Sequence, residues 1–141
     1  MVKEFWLNLP VKNIQKSKEF FTKLGFKFNM QQGDSDTSAC LLIGSKNIVV
    51  MLFEEAVFKN FTNNAVADTK AGTEVLFSID AESKEEVDEL TQKAIDAGGS
   101  SSHKPTEMKG WMYGSLFADL DGHRWNVLFM DMNKMHESTN L

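Results

Sequence analysis

Asp119-Leu120-Asp121-Gly122-His123-Arg124-Trp125-Asn126-Val127-Leu128-Phe129-Met130 is the stretch from which the fold can be read. Asp-x-Asp-Gly is turn chemistry, because Asp and Gly accept the backbone angles of a tight reversal. The residues after it are mostly apolar strand formers. A turn feeding a buried strand is common by itself. It gains meaning from an earlier, weaker copy, Gly44-Ser45-Lys46-Asn47-Ile48-Val49-Val50-Met51-Leu52-Phe53. Both copies run turn, strand and acidic exit, with Glu54 closing the first and Asp131 the second. The repetition predicts a duplication with a site between its halves.

Working outward, each copy is preceded by the same elements. Residues 5–11 read as a first strand ending near Pro10, with Phe5, Leu7 and Leu9 on one face and Trp6 and Asn8 on the other. Asn13 is an N-cap. Ile14, Ser17, Phe20, Phe21 and Leu24 recur at helical steps, and Gly25 supplies a left-handed stop. Strands are expected over 26–30, 39–43 and 47–53, with a polar turn at Gly33-Asp34. Residues 55–72 read as a linker with a short helical turn, its Phe58 and Phe61 either pinning it to the body or forming a ligand lid. The second half then repeats the order. Residues 73–80 are a strand, and Ser83 with Glu86 is a capping box. Val87, Leu90, Ala94 and Ala97 mark a buried stripe, and Gly98-Gly99 ends the helix. Further strands are expected near 101–105, 111–118 and 124–130.

The expected fold is therefore α+β. Two pseudo-symmetric strand-helix-strand-strand-strand modules, about 1–62 and 70–132, form one domain over 1–132, each with one helix outside a curved mixed sheet, around a shared cleft. A polar, frayed tail follows at 133–141. Modules of this size bury too little surface to be comfortable alone.

Composition narrows the function. The 141 residues are 42% hydrophobic and 25% charged, ordinary globular material. A net charge of −5 argues against a nucleic-acid binder, which would normally show a basic face. No apolar run approaches the roughly 20 residues of a membrane span, and no signal-peptide layout is present. One cysteine, Cys40, among Ala39, Leu41 and Leu42, reads as a buried apolar residue and fits a reducing cytoplasm.

The chain resembles the vicinal-oxygen-chelate superfamily of glyoxalase I, extradiol dioxygenases and bleomycin-resistance proteins. Four stretches carry the likeness: Asn8-Leu9-Pro10-Val11-Lys12-Asn13-Ile14 with Ser17; Phe20-Phe21-x-x-Leu24-Gly25-Phe26; Val75-Leu76-Phe77-Ser78-Ile79-Asp80; and the opening stretch. They span nearly the whole chain and point to a glyoxalase-like fold. In metal-dependent relatives each half gives His, Glu or Gln ligands from its first and last strands. Here those positions fall on Trp6, Met51, Glu74 and Asn126. An indole cannot ligate a hard cation, and a thioether suits only soft metals. The resemblance thus implies the fold without the metal, and no cofactor is expected.

Glu74, on the cavity face of its strand, is read as a structural partner of Arg124 or Asn126, a ligand contact, or a general base tuned by desolvation. Trp6, Trp111 and Tyr113 stack on a planar ligand or fill the core. Asn8 bonds a ligand or a strand neighbour. His103, His123 and His136 lack ligand spacing, and there is no phosphate loop or nucleophile elbow. The expected ligand-binding set is Trp6, Asn8, Met51, Glu74, Trp111, Arg124 and Asn126. Two classes follow: a metal-free binder of a small aromatic or amide-bearing molecule, or a lyase or dioxygenase-type enzyme using a metal or Glu74. The expected partners are the small molecule and a second copy of the chain in a homodimer, with neither nucleic acid nor membrane.

Overall fold

The computed structural model describes residues 1–139, with side chains through Glu137. The chain divides into two compact units at the Thr69–Lys70 boundary.

The first unit contains β1 (Leu7–Val11), α1 (Ile14–Lys23), β2 (Lys27–Phe28), β3 (Ser38–Ile43), β4 (Ile48–Glu54) and α2 (Glu55–Thr62). Its sheet has the order β1-β4-β3-β2, with β1 parallel to β4 and the other pairs antiparallel. Register places Leu9, Leu52 and Ala39 side by side, next to Leu7, Val50 and Leu41. These alternate residues form the face that closes a core with Ile14, Phe20, Phe21 and Leu24 of the α1 segment, all buried. Asn13 caps α1 by accepting from the Lys16 amide at 2.9 Å. Gly25 takes φ +97° at the other end, where a side chain would be strained.

The second unit contains β5 (Leu76–Asp80), α3 (Lys84–Asp96), β6 (Thr106–Met108), β7 (Met112–Ala118), β8 (Arg124–Met130) and α4 (Met132–Thr139). Its sheet repeats the first: order β5-β8-β7-β6, with β5 parallel to β8. Thr91 on α3 hydrogen-bonds both the Val87 carbonyl and the Ser115 hydroxyl on β7, so the odd residues of β7 face the helix. Phe117 and Ser115 pair there with Trp125 and Val127. Trp125 is fully buried, stacked on Phe117 with 6.2 Å between ring centres and against Phe77 at 4.9 Å.

The two turns that suggested a duplication have like bonding. The Asn47 amide donates to the Gly44 carbonyl and the Gly122 amide to the Asp119 carbonyl, both at 3.1 Å. Both acidic exits tie to a neighbouring segment, Glu54 to the Thr37 carbonyl and Asp131 to the Trp111 carbonyl.

Several expectations are corrected. Each unit carries two helices rather than one. Residues 55–62 form α2, which Asn63 ends in a left-handed conformation, instead of a single turn in a linker. The stretch expected to fray from 133 is helical to Thr139; residues 140–141 lie outside the described residues. The strand expected over 26–30 shrinks to two residues. Pairing near 101–105 is replaced by β6 and a single bridge at Ser100, because the Ser101 hydroxyl takes the Leu116 carbonyl and Pro105 has no amide to offer. At the centre of the α3 stripe the buried residue is Thr91; Leu90 and Ala97 are half-exposed. The strand expected from residue 73 begins at Leu76, opposite Arg124. Its parallel partner β8 starts at Arg124, directly after the turn, so residues 73–75 have nothing to pair with.

Candidate functional site

Asp119 builds the turn that aims β8. Its Oδ1 accepts from the amides of Asp121 and His123 and its Oδ2 from Trp125 Nε1, each at 3.0 Å. The carboxylate is buried, and burial pushes its pKa above the ordinary aspartate value. The neighbouring His123 charge and the Trp125 N–H pull the other way. With Trp125 fixed toward α3, alternation turns Arg124, Asn126, Leu128 and Met130 to the opposite face.

That open face of the second sheet is the better-formed candidate site. Register sets Ser78, Asn126 and Leu116 in one row across β5, β8 and β7. Leu76 pairs with Arg124 in the next. The Asn126 amide donates to the Ser78 hydroxyl at 3.4 Å. Arg124 donates from its terminal nitrogen to the Gly122 carbonyl at 2.9 Å. Arg124, Asn126, Leu116 and Leu128 are half-exposed. A Cβ on Gly114 would stand 2.6 Å from Leu128 and 3.1 Å from Met108, so the glycine makes room for apolar side chains on this face.

The open face of the first sheet has a comparable row, Asn8, Met51 and Cys40 across β1, β4 and β3. The loop before β3 folds over it. A Cβ on Gly33 would stand 2.6 Å from the Met51 methyl and 3.7 Å from Cys40 Cβ. The Gly33 carbonyl accepts from the Ser38 hydroxyl at 2.7 Å, and Asp34 pairs with Lys18 of α1 at 2.5 Å. Under this loop Cys40 is buried, and burial raises its thiol pKa. Phe61 of α2 meets Phe53 edge-to-face at 5.0 Å on the same side.

The expected site residues therefore divide between two faces, with several corrections. Trp6 lies before β1 and is 58% exposed, so it is neither core nor part of the strand. Glu74 sits in a bend before β5 and is exposed. The burial expected on a cavity face is not found there. The expected bonds from Glu74 to Arg124 or Asn126 are replaced by Arg124–Gly122 and Asn126–Ser78. Met51 pairs with Asn8 and Cys40 as Asn126 pairs with Ser78 and Leu116, so the two hold comparable rows of their sheets. By their chemistry Trp6, Met51, Glu74 and Asn126 do not suit a hard divalent cation, since an indole does not ligate one and a thioether suits only soft metals.

Trp111 lies elsewhere. It is half-buried beside a shallow pocket at the far end of β7, with Tyr113, Phe129, Lys84, Glu107 and Lys134. The six residue steps from Met112 to Ala118 span roughly 20 Å, so Trp111 and Arg124 stand at opposite ends of the strand. Lys84 pairs with Glu107 and sits 5.6 Å above the Tyr113 ring. The Lys84 bond lowers the Glu107 pKa. The Tyr113 hydroxyl donates to Asp88 at 2.5 Å, and that bond pushes its pKa up to about 12.

Sequence reasoning missed Ser78 and the Gly33 loop. Ser78 shares a face with Asn126 only through the β5–β8 register, and no local signal reports that.

Two like units, each with its first strand parallel to its last, define a duplicated glyoxalase-type fold. Residues 5–127 match the model of the Glyoxalase/Bleomycin resistance protein/Dioxygenase superfamily, and the chain belongs to that family. Among solved structures it is similar to hypothetical protein SA1046 from S. aureus, at 36% identity over 91% of this chain and 94% of that one, with TM-score 0.81. A glyoxalase-related enzyme from Fulvimarina pelagi shares the fold at 15% identity, covering 92% and 88%, with TM-score 0.76. So does the fosfomycin resistance protein FosX from Listeria monocytogenes, solved with Mn(II) and sulfate, at 16% identity, covering 99% and 98%, with TM-score 0.69. A comparison with curated proteins finds no match. No helix among the described residues is long and apolar enough to cross a membrane.

Proposed function

We propose that the chain binds a small organic molecule on the open face of its second sheet, without the divalent metal used by metal-dependent relatives. The observation that carries this reading is the makeup of that face. Arg124, Asn126 and Ser78 supply polar hooks, and Leu116 and Leu128 a half-exposed apolar surface. Recognition of a small ligand needs an apolar surface with a few fixed polar groups. Native mass spectrometry of protein purified from cells is the test. The expected species carries a small organic adduct and less than stoichiometric nickel, zinc, manganese or iron. One tightly held metal per chain, lost on substituting Glu74 or Asn126, would refute the reading.

The chain is also proposed to form a homodimer. β1 and β5 are edge strands of their sheets, and the residues entering them are apolar and exposed: Phe5 73%, Trp6 58%, Val75 49% and Leu76 53%. Exposed apolar edges are a liability that a partner copy removes.

A further inference from the structure

Arg124 is the only arginine in the chain. It is half-buried on the open face, at the first position of β8. Among the described residues it makes no ion pair, and its one hydrogen bond is to the Gly122 carbonyl. Its neighbours in register are Leu76 and Ala118, neither of which has a side-chain acceptor. The acids in the preceding turn do not serve it. Asp119 is occupied by Trp125 and two turn amides, and no Asp121–Arg124 ion pair forms. The carboxylate that shares its face on β5 is Asp80, which pairs with Leu128, four residues along β8, or roughly 13 Å. A guanidinium has five N–H donors in a fork that matches a carboxylate bidentately. One goes to the protein here. A partly desolvated cation without a counter-charge is unfavourable unless something supplies the anion.

We infer that Arg124 is the anchor for the carboxylate of a small organic acid. This deepens the reading of the open face as the ligand site and rests on it. The bond to Gly122 holds the guanidinium in place, so little side-chain freedom remains to be lost when the anion arrives. Asn126, two residues along the same strand face at roughly 7 Å, and Ser78 beside it take a second polar group of the ligand. Leu116 and Leu128 meet its apolar body. The anionic class replaces the neutral amide-bearing ligand expected from the sequence. That expectation of a neutral aromatic or amide-bearing compound took Arg124 to neutralise Glu74, and no such pair forms.

The test uses the full chain and two probes of nearly one shape, benzoate and benzamide. Titrations are followed by nitrogen–proton correlation spectra that include arginine Nε and asparagine side-chain signals. Benzoate is expected to shift Arg124 Nε and the Asn126 amide saturably, with benzamide at least about tenfold weaker, as befits loss of a charged hydrogen bond. Arg124→Gln should weaken benzoate by about tenfold or more and benzamide much less, so that the preference for benzoate is lost, and Arg124→Lys should retain part of the affinity. Equal binding of both probes on the open face would overturn the carboxylate anchor and leave the ligand face standing. If neither probe moves any signal on this face, both fail. The wild-type comparison decides the matter even if Arg124→Gln does not fold.

Discussion

Asp119 shows what a turn residue becomes once the chain is folded. As sequence it is a reversal signal. In the structure its two oxygens take three donors, two from the turn and one from the most buried indole of the second unit. Asp119→Asn puts an amide N–H where an acceptor is needed. It should cost about 2–3 kcal/mol, since hydrogen bonds to a charged group contribute most and an orphaned buried donor adds its desolvation. Urea denaturation checks it, with the slope unchanged. Tyr113 offers a second residue-scale test because it is the only tyrosine. The bond to Asp88 keeps its proton on, so the folded pKa of about 12 lies above the unfolded value of about 10. Folded protein binds the extra proton between these values. The associated stabilisation is complete below about pH 10 and is lost as pH rises through about 12. Tyrosinate absorbance should therefore titrate near pH 12 in the native protein and move back toward 10 in Asp88→Asn. A wild-type midpoint near 10 would show that the bond does not form in solution.

Elements depend on caps and on the room left for them. Asn13→Ala removes the acceptor for the Lys16 amide, and Ser83→Ala removes that for Glu86 at 3.1 Å. Each should lower stability by about 1 kcal/mol, and the two should add because they sit in separate units. Gly114→Ala is a harsher test of the β7–β8 pair. Its new methyl would meet the Val127 carbonyl at 2.9 Å as well as Leu128, and backbone cannot move aside as a side-chain tip can. Overpacking of this kind costs about 1–3 kcal/mol, read as a drop in Tm. Helices α2 and α4 were not legible as elements because each is only eight residues long and their starts lack a strong capping signal. α2, with Glu54 at its N-cap, has no side-chain cap bond there.

At the scale of the molecule, edge strands and their exposed apolar entries lead to an expected dimer, twice the 15.9 kDa chain mass in sedimentation at micromolar concentration. A monomer there would show that the edges are protected within one chain. Trp6→Ser should weaken that dimer without lowering monomer stability, because the indole is mostly exposed within the chain.

The sequence by itself determined the duplication, the order of strands and long helices, the caps at Asn13 and Ser83, and the family. These are encoded locally, in turn chemistry, periodicity and capping, and each can be read within a dozen residues. It also brought Arg124 and Asn126 to one face, since alternation within one strand suffices. Only the tertiary structure decided what stands beside them. Strand register is a contact between segments distant in sequence. It put Ser78 against Asn126 and Asn8 against Met51, left Glu74 short of the sheet, and laid the Gly33 loop over Met51. A shift of one residue in a parallel pair would exchange every face. No stretch of this chain records that choice alone; the packing of Trp125, Phe117 and Phe77 beneath α3 makes it.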